Sequence, residues 1–266
     1  METVFRSYIQ CINEERWHDL PACASFPLDL NGEAVPGPEA LAAKITAAGR
    51  LRLDIDAITL DEATRRLGAT LLARLLSSGA EPVRFAKQSL AWIGEDGKIS
   101  RLATLRDDAA QPSPPDLVSA YHPTTPPEQA LSSRALEDKY RTYIACINAR
   151  TLAGELPSFC HGHVVHNARR LSLDEYRLLI REALTAVPDI VFGLADDAVV
   201  ADGATQRVAA RIEFTGTPTG TLAGVEATGR PVHFNEHVTY SFRDGKIDRV
   251  WSIVDWESYR RQLSQG

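Results

Sequence analysis

Two carboxylic acids near the end of the sequence have the spacing of an acid–base pair. Two runs rich in β-branched and aromatic residues, 231–242 and 246–255, flank an Asp-Gly dipeptide that is typical of tight β-hairpin turns. A hairpin centred on that turn pairs Phe234 with Asp255 and places Glu236 diagonally across from Asp255, on the same face. In an apolar cavity, two carboxylates this close resist joint ionisation, which raises one pKa and leaves an acid and a base near neutral pH.

The same register places aromatic side chains on the face that carries the two acids. Phe234, Tyr240 and Trp251 share that face, where aromatic residues either stack on an unsaturated substrate or fill the core. Tyr176, on a predicted helix, is a further candidate for substrate contact. The predicted face is therefore apolar apart from the two carboxylates and one phenol.

Arg211 lies in the middle of a predicted strand, where a buried arginine needs a carboxylate partner. We consider it as a substrate-binding residue. A second interpretation is structural: Arg74 lies 137 residues earlier in a similar run, which favours a salt bridge retained in two places. Glu236 would then be an edge-strand carboxylate paired with an arginine such as Arg211.

Three histidines, His161, His163 and His166, lie close together before the second predicted helix. His166 is a candidate to move a proton or bind a substrate oxygen, since an unperturbed imidazole titrates near a pKa of ~6.5. The alternative for each is a loop histidine facing solvent. A His-x-His pair without a fixed second element is poor evidence for a metal, so we predict no metal and no cofactor.

The elements that must position these residues occur twice. Residues 5–13 match residues 140–148 at an offset of 135, and residues 97–107 match residues 245–255 at an offset of 148. The second copy therefore carries 13 extra residues between the two matches. We expect a domain over residues 1–110, a proline-rich linker over 111–130 and a second domain over 131–266.

Each copy is predicted to have an α+β fold. In the second copy, residues 136–152 show the apolar stripe of an amphipathic helix, and Ser172 with Glu175 forms a capping box that opens another helix. Two helices are thus expected before any strand. The predicted strands that follow are 190–194, 206–215, 231–242 and 246–255. A curled antiparallel sheet folded over the helices would leave a pocket between them.

Five short motifs follow one another across almost all of residues 136–263: Val187-Pro188-Asp189, Phe214-Thr215-Gly216-Thr217, Thr228-Gly229-Arg230-Pro231-Val232, Asp244-Gly245-Lys246-Ile247 and Trp251-Ser252-Ile253-Val254-Asp255. In this order they resemble the SnoaL-like polyketide cyclases of the nuclear transport factor 2-like superfamily. The resemblance implies a cone-shaped α+β domain, usually dimeric and free of cofactors, with a pocket inside the cone. Residues 161–167 and 236–240 are more similar to the fungal secondary-metabolite branch.

The resemblance also implies roles for individual residues. The family's catalytic acid/base lies near the end of the last strand, which makes Asp255 the first catalytic candidate and Glu236 the second. His166 and Asn167 fall where the family lines the mouth of its pocket with polar residues. The two copies would form a pseudo-dimer within one chain, and further oligomerisation is left open.

In the first copy, most of these residues have changed. Asp107 takes the place of Asp255, but Gln88 is expected in place of Glu236, Ala103 in place of Trp251 and Asn31 in place of His166. Either the first copy is a degenerate partner that supplies a surface to the second, or it holds a second site around Asp107 and Gln88.

Composition limits the classes of function. The net charge is −6, and no basic tract is longer than a pair of adjacent arginines, which argues against a nucleic-acid groove. No run of the sequence approaches the ~18 apolar residues of a membrane span. We expect a cytoplasmic protein whose partner is a small hydrophobic oxygenated molecule. The four cysteines have no metal or disulfide spacing.

The leading hypothesis is a cofactor-free cyclase or isomerase that acts on an oxygenated polyketide or related secondary metabolite. One alternative uses the same two carboxylates to open an epoxide. Another belongs to a different class: a ligand-binding or dimerisation module without catalysis. No Gly-x-Ser-x-Gly nucleophile motif is present in the sequence.

Overall fold

The chain divides into two compact units, Met1–Ser119 and Ala120–Gly266. A computed structural model describes residues 1–76, 81–107, 117–121 and 127–264. The division falls within the range expected to be a linker; 108–116 and 122–126, which hold most of its prolines, lie outside the described residues.

The first unit is a six-stranded sheet with helices against it. Its elements in chain order are α1 (Glu2–Glu14), a 3₁₀ helix (Trp17–Ala22), β1 (Ala24–Leu30), β2 (Glu33–Val35), α2 (Pro38–Thr46), β3 (Arg50–Asp61), β4 (Arg66–Leu76), β5 (Val83–Ile93) and β6 (Ile99–Arg106). The strand order is β2-β1-β6-β5-β4-β3, with β1 parallel to β6 and the other neighbours antiparallel.

The second unit repeats this plan with additions. After a 3₁₀ turn (Pro127–Gln129), its elements are α3 (Ser133–Asn148), α4 (Leu152–Phe159), β7 (Cys160–His166), β8 (Arg169–Ser172), α5 (Leu173–Ala186), β9 (Val191–Gly193), β10 (Val199–Asp202), β11 (Arg207–Gly216), β12 (Val232–Arg243), β13 (Lys246–Val254) and α6 (Trp256–Ser264). The strand order is β10-β11-β12-β13-β7-β8, and β9 pairs with β11. The α+β class is confirmed.

Two helices, α3 and α4, do precede the first strand, but the helix predicted to open at Ser172 is not one of them, because the hairpin β7–β8 comes before α5. The histidine-rich segment resembles a loop in sequence, yet its backbone pairs in parallel with β13. Ser172 does cap α5, and the capping box with Glu175 is confirmed. In the described part of the chain, no helix combines the length and the apolar character that a bilayer crossing requires.

The first helix of each unit is fixed to its sheet by an asparagine at the matched position. The Asn13 side chain donates to the Leu53 carbonyl oxygen at 2.8 Å and accepts from the Leu53 amide at 2.7 Å. Asn148 makes the same two hydrogen bonds to Phe192, at 2.9 Å and 2.8 Å. The duplication seen in the sequence is therefore also present in the contacts between helix and sheet.

The β12–β13 hairpin follows the predicted register only beside its turn. Phe242 faces Ile247 as expected, but the next pair is Ser241 with Arg249. Asp248 is left as an extra residue on β13, which is a β-bulge. All pairs farther from the turn are consequently shifted by one residue.

This shift separates the two carboxylates that were expected to form a pair. Glu236 faces Val254, the last residue of β13, and Phe234 does not face Asp255. Because side chains alternate along a strand, Trp251 lies on the face opposite to Glu236. The predicted pairing of Glu236 with Asp255 is therefore wrong, for a reason that lies in the bulge.

The same bulge occurs in the first unit, where Ile93 faces Ile99 and Trp92 faces Arg101, leaving Ser100 as the extra residue. Its turn, however, has five residues between the paired isoleucines, whereas the second unit has four between Phe242 and Ile247. The last strands, β6 and β13, therefore correspond at an offset of 148 residues, whereas the strands before them, β5 and β12, correspond at an offset of 149 residues.

The offset of 149 changes which residue of the first unit stands in the place of Glu236. That residue is Lys87, and Gln88 corresponds instead to His237 on the opposite face. Backbone hydrogen bonds confirm the alignment. The amide of Asp107 donates to the carbonyl oxygen of Ala86, and the amide of Asp255 donates to that of Asn235, which lies 149 positions after Ala86.

Asn31 was expected to replace His166, and this correspondence is also wrong. The side-chain amides of Asn31 and Asn167 hold the last strand of their unit in the same way, through hydrogen bonds to both backbone groups of one residue. Asn31 therefore corresponds to Asn167, and Leu30 stands in the place of His166.

Arg74 is not the counterpart of Arg211. Thr70 faces Gln88 in the first unit just as Arg211 faces His237 in the second, so Thr70 occupies the matched position. Arg74 does form an ion pair, with Asp54 at 2.6 Å. The two arginines are thus paired with carboxylates independently and are not one retained salt bridge.

Gly216 allows the end of β11 to approach the segment that precedes β9. A Cβ atom at this position would lie 2.7 Å from Cγ1 of Val187 and 3.0 Å from Cα of Ile190. The neighbouring Thr217 amide donates to the Asp189 carboxylate at 2.6 Å. The Val-Pro-Asp and Thr-Gly-Thr motifs therefore pack against each other, which explains their residue types.

We expect Gly216→Ala to lower the free energy of unfolding of the second unit by about 1–3 kcal/mol, because the added methyl group overpacks this contact. Gly162→Ala is the matched control, since a Cβ there meets no atom within 4 Å. The free energy of unfolding of each variant is measured by urea unfolding, and hydrogen exchange of the β11 amides reports on the second unit specifically. Equal stability of the two variants would show that the contact at Gly216 is not tight.

Candidate active site

The interior of the second unit holds one carboxyl group among four tyrosines. Glu236 projects from β12, a central strand, on the same face as Tyr240. Tyr140 and Tyr143 come from α3 and Tyr176 from α5. The Tyr140 and Tyr143 rings lie 5.0 Å and 6.1 Å from the Tyr240 ring, centroid to centroid. Helix and sheet thus enclose a cluster of phenols around Glu236.

Glu236 is only 9% exposed. Burial raises the pKa of its carboxyl to about 7, and a hydrogen bond that the Ser252 hydroxyl donates to Oε1 opposes this rise. No second carboxylate contributes to the raised pKa. Near neutral pH the group is divided between acid and carboxylate, which is the condition for general acid–base catalysis.

Ser252 is held in position by Asn167. The Asn167 side chain donates to the Ser252 carbonyl oxygen at 2.9 Å and accepts from the Ser252 amide at 2.8 Å. Asn167 adopts a left-handed backbone conformation with φ of 46°. Its amide is therefore used to fix the strand that carries Ser252, whereas we expected it to bind substrate directly.

His166 lies at the edge of the same interior, with its ring centroid 6.1 Å from that of Tyr176. Burial, together with the nearby charge of Arg169, lowers the pKa of His166 to about 4. The imidazole is therefore neutral at physiological pH and able to donate or accept one hydrogen bond.

The other two histidines have different surroundings. His161 Nε2 lies 2.8 Å from the Arg243 carbonyl oxygen, and His163 is exposed. Among the described residues, no group of three histidine, cysteine or acidic side chains is placed to hold a metal ion.

The tyrosine hydroxyls supply hydrogen-bond donors to this interior. Burial raises the pKa of Tyr140, Tyr143, Tyr176 and Tyr240 above the ordinary value, so all four phenols stay protonated. The Tyr143 and Tyr176 hydroxyl oxygens lie 3.0 Å apart. The buried Tyr140 hydroxyl has no hydrogen-bond partner of normal geometry in the described part of the chain, so a ligand oxygen would satisfy it.

Asp255 has a structural position at the start of α6. Its carboxylate accepts from the Ser258 amide at 2.9 Å, and its own amide donates to the Asn235 carbonyl oxygen at 2.8 Å. This is the hydrogen bonding of a helix N-cap. The residue that we ranked first as the catalytic acid thus caps a helix and is not in contact with Glu236.

Arg211 and Trp251 do not face this interior. Arg211 forms an ion pair with Glu213 on its own strand. The Trp251 ring lies 6.2 Å from the Tyr121 ring, with the Arg249 guanidinium 5.2 Å away. Their expected place in the substrate pocket is wrong, because both lie on the opposite face of the sheet from Glu236.

Phe234 does face the interior, but as part of an aromatic group at one end of the sheet. Its ring contacts those of Phe214, Trp256 and Tyr259, with centroids 4.9 Å, 5.8 Å and 5.0 Å away. These contacts make Phe234 a core residue that joins α6 to the sheet.

The sequence profile of one family, described as SnoaL-like polyketide cyclase, matches residues 137–263. A solved SnoaL-like polyketide cyclase from Agrobacterium tumefaciens is 36% identical over 48% of this chain and 98% of its own, with a TM-score of 0.45. The chain belongs to the SnoaL-like polyketide cyclase family. TsrD from Streptomyces laurentii is 24% identical over 50% of this chain and 98% of its own, with a TM-score of 0.45. No curated protein matches the chain.

The family match covers the unit that contains Glu236 and its tyrosines. Both of these relatives come from bacteria, and the expected fungal branch remains a prediction. Membership gives the fold and the general class, that of a polyketide cyclase-like domain. It does not by itself identify the reaction of this chain.

Three residues of the candidate site were not selected from the sequence. Tyr140 and Tyr143 were recognised only as part of a helix stripe, and Ser252 was placed on the wrong face by the register error. The sequence did hold one signal for them. Tyr140 and Tyr143 lie three residues apart on one face of a helix, and Tyr240 lies on a strand; buried phenols need hydrogen-bond partners, so these three could have been expected to meet.

The residues expected to form a second site in the first unit, Asp107 and Gln88, share one face of the sheet, because Asp107 lies opposite Ala86 and Gln88 opposite Leu105. The cavity of that unit is lined by neither Asp107 nor Gln88. Gln88 lies on the opposite face of β5 from Lys87, which does line it. The interior of the first unit therefore differs in chemistry from the one that the sequence comparison implied.

The raised pKa of Glu236 predicts that stability depends on pH. The carboxyl has a pKa of about 7 when folded and about 4.5 when unfolded. The stability associated with protonated Glu236 is therefore fully present below pH 4.5 and is lost as the pH rises through about 7. At about 1.4 kcal/mol per pKa unit, this loss is roughly 3 kcal/mol.

Glu236→Gln removes the titration, so its free energy of unfolding relative to wild type should rise by roughly 3 kcal/mol between pH 4 and pH 8. Urea unfolding across this range, followed by hydrogen exchange of β12 amides, measures the difference. Glu226→Gln, which changes an exposed carboxylate, is the control. A constant difference between E236Q and wild type would contradict the raised pKa.

Proposed function

We propose that the second unit is a cofactor-free cyclase or isomerase, in which Glu236 moves a proton at a carbon or oxygen centre of an oxygenated polyketide or related metabolite. The observation that supports this most is the buried carboxyl of Glu236, whose pKa is about 7. A base with this pKa is half ionised at the pH where it works, which suits proton transfer in both directions.

The surroundings of Glu236 fit a carbonyl substrate. Proton removal next to a carbonyl group places negative charge on the oxygen, and hydrogen-bond donors aimed at that oxygen stabilise the transition state. Tyr140 has a buried hydroxyl that makes no hydrogen bond of normal geometry among the described residues, with the Tyr240 hydroxyl as its neighbour, and Tyr176 and neutral His166 are further donors. The phenols would bind the oxygen while Glu236 removes the proton.

The apolar walls would contribute by positioning. Leu136, Val238 and Val250 are among the buried residues of this interior. A flexible chain held there in one folded form reacts within itself, and such positioning lowers the barrier by several kcal/mol. Ring closure and isomerisation share these requirements, and the substrate decides between them.

The same geometry weakens the alternative of epoxide opening. That mechanism needs one carboxyl to protonate the epoxide oxygen while another activates water. Asp255 was its expected second carboxyl, and the carboxylate of Asp255 caps α6. A single general acid–base group therefore supports the cyclase or isomerase better.

Catalysis by Glu236 can be tested without the natural substrate. Wild-type protein is mixed in deuterated water with a panel of aromatic β-ketoesters and β-diketones, and exchange at the activated methylene is followed by NMR. We expect Glu236→Gln to slow the catalysed exchange by about 10²–10⁴-fold, the usual contribution of a general base. Circular dichroism checks that the fold is retained.

Asp255→Asn is the matched control, because asparagine is also a good N-cap and preserves α6. Its exchange rate should stay within about threefold of wild type. If D255N abolished exchange and E236Q did not, the catalytic role would belong to Asp255. Binding of the panel without any catalysed exchange would instead favour a non-catalytic ligand-binding module.

The pH profile separates a catalytic base from a residue that only shapes the site. With Glu236 as the base, the exchange rate should rise with pH through about 7 and then level off. Ser252→Ala removes the hydrogen bond that lowers this pKa, so the rise should move to higher pH. An unchanged midpoint in S252A would show that another group is the base.

A further inference from the structure

The first unit encloses a cavity of about 290 Å³ between α1, α2 and the inner face of its sheet. This volume is near the lower end of small-molecule pockets. Most of the wall is apolar, with Phe5, Ile9, Leu41, Leu53 and Leu71 among the lining residues. The cavity lies in the unit that the family profile does not match.

Lys87 is the residue of this cavity that stands in the place of Glu236. Its side chain lines the cavity, and the described residues give it no hydrogen bond and no ion pair. Arg106 lies directly opposite on β6. Burial and, to a lesser extent, the charge of Arg106 together lower the pKa of Lys87 to about 8. An ammonium group without an anion in such surroundings is costly.

The charge around the cavity has one sign. Among the described residues, its titratable or charged lining side chains are Tyr8, Lys44, Lys87 and Arg106, and none of these is a carboxylate. Lys44 pairs with Glu33 at 2.9 Å. Burial raises the pKa of Tyr8, which keeps that phenol neutral. A molecule that enters the cavity could therefore supply an anion to Lys87, which the described lining residues do not.

Two hydroxyl groups lie at the same polar end. Ser89 and Thr104 line the cavity, and the Ser89 Oγ and Thr104 Oγ1 atoms are 3.0 Å apart. Thr104 corresponds to Ser252, which donates to Glu236 in the second unit. In the first unit the matched hydroxyl lies near a cation, where it can donate to the oxygen of a bound anion.

We propose that the cavity of the first unit binds an apolar carboxylate, whose acid group pairs with Lys87 and whose carbon skeleton lies among the apolar side chains of the wall. The ion pair gives the half-buried Lys87 ammonium its partner, and burial of the skeleton contributes the hydrophobic part of the affinity. This site is separate from Glu236 and does not depend on the reaction proposed for the second unit.

The test compares decanoate with decanamide, which has the same chain length but no charge. Isothermal titration calorimetry on the full chain at pH 7 should show decanoate binding at least tenfold more tightly. Lys87→Met, which keeps an apolar side chain but removes the charge, should abolish this preference and leave decanamide affinity within threefold. Lys87→Arg should retain the preference, and Glu236→Gln should change neither affinity.

The pH dependence gives a second readout. Decanoate affinity should fall by about tenfold between pH 7 and pH 9, because free Lys87 loses its proton over this range. Decanamide affinity should stay constant. Equal affinity for the two ligands, an unchanged preference in a folded K87M variant, or no binding of decanoate at millimolar concentration would each overturn the proposal.

Discussion

The bulge at Asp248 decides which side chains of the last strand enter the second unit. Asp248 is the extra residue on β13, and its carboxylate accepts hydrogen bonds from Tyr121 and from Arg243, the latter at 3.0 Å. Since side chains alternate along a strand, one extra residue exchanges the two faces for the rest of its length. Ser252 thereby turns toward Glu236 and Trp251 turns away from it.

The interior of each unit is then defined by one position on a central strand. This position is Glu236 in β12 and Lys87 in β5, so the two units carry opposite charges at matched places. Burial acts on both in the direction of the neutral form, which raises the pKa of the acid and lowers that of the amine. The duplicated chain keeps the contacts between helix and sheet, such as those of Asn13 and Asn148, while the interior chemistry has diverged.

The sequence was sufficient for the features that depend on local pattern. The repeat, the α+β class, the capping box at Ser172 and the buried stripe of α3 follow from spacing and residue type. The strand β7 was missed because its pairing with β13 joins residues far apart in sequence. The N-cap role of Asp255 could also have been predicted from the sequence, since an aspartate immediately before a polar helical segment is typical of an N-cap.

The bulge could not be predicted from the hairpin alone. An Asp-Gly turn fixes the register of the residues beside it, and nothing in the residue types of β13 marks Asp248 as extra. The difference in turn length between the units had the same effect, because it moved the counterpart of Glu236 from Gln88 to Lys87. Single-residue shifts in a strand thus change a candidate site more than they change a fold.

Glu236 is a buried acid whose pKa lies near neutrality, and the rest of the proposed site depends on this. A ¹³C NMR titration of the glutamate side-chain carboxyls, with the Glu236 signal assigned by its absence in E236Q, measures this pKa directly. The burial of Glu236 predicts a midpoint at about 7, well above that of an ordinary glutamate. A midpoint near 4.5 would contradict it, because it would show that the carboxyl is solvated and not held among the tyrosines.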